Sequence, residues 1–221
     1  YANLEDVMKL VEDLFNYVCQ EVYGRSKFTY QGHEIDLTPP WPRVPMLEGI
    51  RKYAGVEPEE FATLESAKAA MERLGLPTEQ EDMVGGIIEK IHERFTQPNL
   101  IQPTFITDFP IETSPLAKKI PDNPELTRRF EIYIGAQETG NAFSEINDPI
   151  DQRERFTMQS ARRAAGDVEA HPMDEDFIRA LEYGMPPTGG LGIGIDRLIM
   201  LFTNQDAVRD IILFPQMKPE K

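Results

Sequence analysis

Cysteine is almost missing from this sequence: Cys19 is the only one. A single thiol excludes an internal disulfide and suits a reducing, cytosolic compartment. Histidine is nearly as scarce. His33, His92 and His171 are scattered, and with one cysteine they do not compose a zinc site. Nowhere do apolar residues run for the roughly 20 positions that a membrane-spanning helix needs. No basic-then-apolar leader opens the chain either. Basic charge is also short, since 23 Lys and Arg against 38 Asp and Glu leave a formal net charge of −15. That balance argues against this chain clamping a nucleic-acid backbone by itself. Its plain effect is solubility. If RNA is a partner, the basic surface lies mostly elsewhere.

What is present suffices for one sizeable domain or two small ones: 221 residues, 40% of them hydrophobic and 28% charged. Leu4, Val7, Met8, Val11, Leu14, Phe15, Val18 and Val22 keep helical spacing, and Gly24 supplies a stop. The chain begins at Tyr1 without a methionine while this stripe is already under way, which reads as a piece of something longer. A β-hairpin is expected over 27–37 around Gln31-Gly32, followed by a rigid connector at Pro39-Pro40-Trp41-Pro42. Residues 46–53, 65–74 and 81–95 read as helices. From about residue 99 the texture changes, with strands expected at 100–107, 129–134, 137–146 and 190–195. Helices are expected at 151–165, 175–183 and 197–203. Successive strands joined by tight turns indicate an α+β fold, an antiparallel sheet with helices packed on one face. Residues 24–98 read as a mostly helical insertion or shoulder beside that sheet, which occupies 99–221.

The most informative stretch is 129–148. Phe130, Ile132 and Ile134 alternate with Glu131 and Tyr133, which puts Glu131 opposite the buried face. With Gly135-Ala136 as a two-residue turn, Tyr133 pairs with Glu138 and Glu131 with Gly140, so Glu131 and Glu138 become diagonal neighbours. Two carboxylates that close repel unless a positive group sits between them, and a hard divalent cation carrying phosphates, Mg²⁺, suits the place. The alternative is that both merely solvate an exposed sheet face. Beyond Glu138, strict alternation turns Asn141, Phe143 and Glu145 to the other face. One extra residue, expected at Gly140, returns them to the same wall. An amide, an aromatic ring and a carboxylate then fit a ligand with an apolar stem and a cationic head. An exposed strand with one inward Phe is the simpler reading.

The second stretch is Gly189-Gly-Leu-Gly-Ile-Gly-Ile-Asp-Arg197. Gly190, Gly192 and Gly194 share one face of a strand, so a flat ligand is expected to approach the backbone there. Asp196 is positioned to cap a helix beginning at Arg197, whose fork can meet phosphate or stack on a base. The spacing is not a dinucleotide fingerprint, and no Walker lysine follows. Tight sheet-to-helix packing, with Arg197 in a structural ion pair, is the competing explanation.

Together these segments carry a resemblance. Gly190-Leu-Gly-Ile-Gly-Ile-Asp-Arg197 with Leu-Ile-Met-Leu-Phe resembles motif 3 of the class II aminoacyl-tRNA synthetases. Phe130-Glu-Ile-Tyr-Ile-Gly and Glu138-Thr-Gly-Asn-Ala-Phe-Ser-Glu145 resemble the lysine-specific members. So do Thr104-Phe-Ile-Thr-Asp-Phe-Pro110, Ser114-Pro-Leu-Ala-Lys118 and Ile211-Ile-Leu-Phe-Pro215. The resemblance covers nearly the whole chain. It implies the C-terminal part of a catalytic domain that activates lysine with ATP and passes it to tRNA(Lys), in a cytoplasmic homodimer. It implies that Glu131 and Glu138 hold Mg²⁺ with ATP, that Arg197 binds ATP, and that these three are catalytic. Asn141, Phe143, Glu145 and Gly192 then line the lysine pocket. Motif 1, motif 2 and the anticodon-binding domain are absent from these residues, so the piece is expected to be inactive alone. Two rivals remain: a lysyltransferase that modifies elongation factor P, and a synthetase-like module that binds without catalysis.

Overall fold

A computed structural model describes residues 1–79, 81–168 and 170–216. Its first helix, α1 (Leu4–Tyr23), follows the apolar stripe, burying Leu4, Val7, Met8, Val11, Phe15 and Cys19. Asn3 and Asp6 open it with a reciprocal capping box, each side chain accepting from the other's backbone N–H at 2.9 Å. Gly24, at φ 68°, closes it in the left-handed conformation that glycine tolerates. The hairpin follows as β1 (Lys27–Tyr30) and β2 (His33–Asp36).

Next come β3 (Arg43–Pro45), α2 (Met46–Ala54), α3 (Leu64–Arg73) and α4 (Val84–Ile91). The expected start of α4 at 81 is three residues early. Glu81 is instead buried and paired with Lys90, and Met83 is extended as the N-cap. Past α4 the chain widens into a π turn over His92–Thr96.

The main sheet joins β3, β4 (Thr104–Pro110), β6 (Asn123–Ile134), β7 (Gln137–Ser144) and β8 (Gly189–Ile193) in that order, with β5 (Lys119–Ile120) paired to β6. Only the β3–β4 pairing is parallel among these. Helices α5 (Pro149–Ala164), α6 (Glu175–Glu182) and α7 (Ile195–Thr203) complete the order. The α+β class stands, but helices cover both faces of the sheet rather than one. On one face Phe130, Ile132 and Ile134 pack with α1, the β1–β2 hairpin and Leu201 of α7. Phe105 and Phe130 meet edge to face there, with ring centroids 4.9 Å apart. On the other face Ile106, Phe109 and Tyr133 pack with α2, α3 and α4. The second layer was not legible from alternation, because Glu131 and Tyr133 look like solvent-facing residues. Among the described residues no helix is long and apolar enough to cross a membrane.

Candidate functional site

The site grows from the β6–β7 hairpin. Gly135 and Ala136 both take positive φ, at 60° and 61°, as a two-residue hairpin turn demands. Ile134 therefore faces Gln137 and Tyr133 faces Glu138, as expected. The register then slips: Ile132 faces Gly140, leaving Thr139 as the extra residue. The bulge thus lies one position before the expected Gly140. Gly140 is needed elsewhere, since a Cβ on it would stand 2.5 Å from the Gly192 carbonyl oxygen on β8. Thr139 is buried, and its hydroxyl donates to the Ile132 carbonyl at 3.1 Å.

Past the bulge Glu131 faces Asn141 rather than the expected Gly140, because Thr139 takes up the extra position, and Phe143 faces Arg129. Across the next ladder Asn141 faces Gly192 and Phe143 faces Gly190. Directly paired residues share a side of a sheet, so Arg129, Glu131, Asn141, Phe143, Gly190 and Gly192 form one wall. A Cβ on Gly192 would meet only Asn141, at 3.8 Å and beyond, so that position is open.

A cavity of about 550 Å³ lies beside this wall, lined among others by Glu89, His92, Glu93, Arg129, Glu131, Glu138 and Arg197. Arg197 reaches it from the first turn of α7, and Nη1 donates to the Glu138 carbonyl at 2.6 Å and to Glu138 Oε2 at 3.0 Å. Asp196 does not cap this helix. Gly194 is its N-cap and Asp196 lies within the first turn, because the strand ends at Ile193. Glu131 is buried, not solvent-facing, with α4 and the π turn closing over it. Its Oε1 accepts from Arg129 Nη2 and its Oε2 from the Tyr133 hydroxyl, both at 2.6 Å. Burial lifts the Glu131 carboxyl above the usual range. Arg129 and Tyr133 pull it down, while Glu138 and Glu89 push it further up. Burial likewise raises Glu89, and it raises the Tyr133 phenol, which stays neutral beside Glu131.

The divalent cation expected at Glu131 and Glu138 fits in one specific way. Both carboxylates face one cavity and repel each other, yet each is neutralised by its own arginine. Among the described residues no group of three acidic, His or Cys side chains is set to hold a metal. Two carboxylates completed by phosphate oxygens is how Mg²⁺ is commonly held, and a phosphate would also take up an arginine.

Glu145 stands apart from these groups. It lines a separate pocket of about 260 Å³ with Lys118, Arg128 and Thr188 among its walls. Its carboxylate lies over Gly190, where any Cβ would overlap Oε1. Burial raises its carboxyl as well. Glu131, Glu138 and Arg197 therefore share one cavity, Asn141, Phe143 and Gly192 extend its wall, and Glu145 sits at the far end. Arg129, Glu89, Glu93 and His92 were missed in the sequence. Arg129 had a signal, since it follows the same alternation as Glu131 and Tyr133. The helical three gave none until α4 was seen to cover the sheet.

Comparison with known proteins identifies the family. The family described as tRNA synthetases class II (D, K and N) matches residues 1–218. A lysine–tRNA ligase of Pelotomaculum thermopropionicum is 55% identical over all of this chain and 44% of its own length. Another from Moorella thermoacetica is 54% identical over 100% of this chain and 45% of its own length, and one from Nostoc punctiforme is 52% identical over 100% and 39%. The chain thus spans less than half the length of these relatives.

Proposed function

The chain belongs to the class II tRNA synthetases (D, K and N), and from that premise we propose that it forms the lysine- and ATP-binding part of a lysine–tRNA ligase. One observation carries the reading. The Thr139 bulge turns Asn141 and Phe143 onto the wall that already holds Glu131, beside two bare glycines of β8. In this reading Phe143 packs the lysine stem and Asn141 bonds its polar end. Gly192 leaves room for the substrate backbone, and Glu145 pairs with the ε-ammonium. Arg197 exchanges Glu138 for phosphate oxygens and so neutralises charge on the nucleotide.

The lysine carboxylate oxygen attacks the α-phosphorus of ATP, the bond to the β-phosphate breaks, and pyrophosphate leaves. A hydroxyl at the 3′ end of tRNA(Lys) then takes the lysyl group and AMP leaves. Glu131 and Glu138 would hold Mg²⁺ together with the phosphates, where it supplies charge neutralisation. The first step asks little proton transfer of the protein, so its rate rests on positioning and electrostatics.

Within residues 24–98, α2, α4 and the π turn form the shoulder that closes over the phosphates. Motif 1, motif 2 and the anticodon-binding domain belong to the part of the longer protein that these residues do not span. A cytoplasmic homodimer is the expected working form. The test is lysine-dependent ATP–pyrophosphate exchange in the protein at its natural length. Selective exchange with lysine supports the reading, and equal exchange with aspartate or asparagine overturns it.

A further inference from the structure

Two arginines enter the cavity, and they are held very differently. Arg197 is half exposed, and its hydrogen bonds among the described residues go to Glu138. Arg129 has 19% of its side chain exposed. Its guanidinium lies 4.3 Å from the centroid of the Phe109 ring. Its Nη1 donates to the Thr113 carbonyl at 3.2 Å and to Ser114 Oγ at 3.0 Å, and its Nη2 to Glu131 at 2.6 Å. Glu89 stands 4.0 Å from the same Nη1. The turn that receives Nη1 is itself gripped by Arg155 of α5, which donates to the carbonyls of Ile111 and Ser114. A phosphate has one residue to displace in order to capture Arg197, and a whole framework to displace in order to capture Arg129.

We infer that Arg129 is not a phosphate ligand but a positioning residue: with Tyr133 it fixes the Glu131 carboxylate for a phosphate-bound divalent cation. This rests on the ATP chemistry proposed above. A carboxylate offers about four lone-pair directions, two on each oxygen. Arg129 engages one direction on Oε1 and Tyr133 one on Oε2. One direction on each oxygen is left, and the carboxylate cannot rotate without breaking a bond. A planar fork suits this task because one end can bind Glu131 while the other stays anchored on the turn.

The experiment is calorimetric titration of ATP into the protein at its natural length, over a series of Mg²⁺ concentrations. It compares the wild type with Arg129→Lys, Arg129→Met and Tyr133→Phe, and lysine binding is measured alongside. Loss of a partner that orients a metal ligand weakens metal affinity roughly 10–100-fold. Arg129→Met is accordingly expected to need at least roughly tenfold more Mg²⁺ for half-maximal ATP binding. Arg129→Lys and Tyr133→Phe should shift it less, and in all three lysine affinity should fall much less than ATP affinity at low Mg²⁺. ATP affinity should recover at saturating Mg²⁺. An affinity loss that Mg²⁺ does not reverse makes Arg129 a phosphate ligand and overturns the inference, as does an equal loss of lysine binding or an unchanged Mg²⁺ requirement. Should Arg129→Met unfold, as judged by its thermal transition, Arg129→Lys carries the test. Absence of ATP and lysine binding in the wild type overturns the proposed function itself, and this inference with it.

Discussion

Glu145 rests in space that a side chain at Gly190 would otherwise take. Gly190 leaves the space its carboxylate occupies, and Phe143 faces the same glycine across the ladder. Glu145→Gln keeps the shape and removes the charge that an ammonium needs. A site built for such a group loses much of its affinity when the charge is withdrawn. The variant is expected to raise the lysine KM far more than the ATP KM in the exchange assay, and equal effects would contradict the assignment. Gly190→Ala tests the same point from the other side. The new methyl displaces the carboxylate, so the lysine KM should again rise while Arg197 and the ATP KM are left nearly untouched. That Asn141 and Phe143 share a wall with Glu131 was legible in the sequence, because an extra residue in β7 was expected to bring them there. The separate pocket of Glu145 was not. Alternation assigns a side of the sheet, but not which helix closes over it.

Among the elements, β7 shows how far local pattern carries. The expected extra residue is present because Asn141 and Phe143 cannot otherwise reach the wall of Glu131, yet it falls on Thr139. A glycine is the usual suspect for a bulge, but here Gly140 is spent on a close crossing with β8. Thr139→Val keeps the volume and removes the bond to the Ile132 carbonyl. It should cost about 1 kcal/mol, read as a lower urea midpoint with an unchanged slope. At α1 the stripe and the terminal glycine made the helix readable almost to its ends. Asn3→Ala deletes half of its capping box and should cost about 1 kcal/mol by the same measurement. The start of α4 was misplaced because Glu81 looks like a helix-opening acid and instead serves as a buried partner for Lys90. The π turn beyond it leaves no mark in the periodicity.

For the molecule as a whole, acid sensitivity should centre on that turn. His92 is 1% exposed, and both its ring nitrogens lack hydrogen-bond partners among the described residues. Burial lowers its pKa from 6.5 to about 4. Between those values the unfolded chain holds the proton and the native protein does not. Stability therefore falls as pH drops through 6.5 and levels off below about 4. The full effect is about 3 kcal/mol. The raised carboxyls of Glu89, Glu131 and Glu145 act in the opposite sense, so the clean reading is a difference between two proteins. His92→Phe should lose less stability than the wild type between pH 7 and pH 4.5 in urea unfolding. A parallel decline in both would remove His92 as the cause. The two cores meet along β6, where Ile132 belongs to one and its neighbour Tyr133 to the other. Neither layer can peel away without uncovering that strand, so the two should come apart together. The backbone amides of residues 130–134 in β6 are expected to exchange with deuterium last among the described residues, and with one common opening free energy, since they are freed by opening of both layers at once.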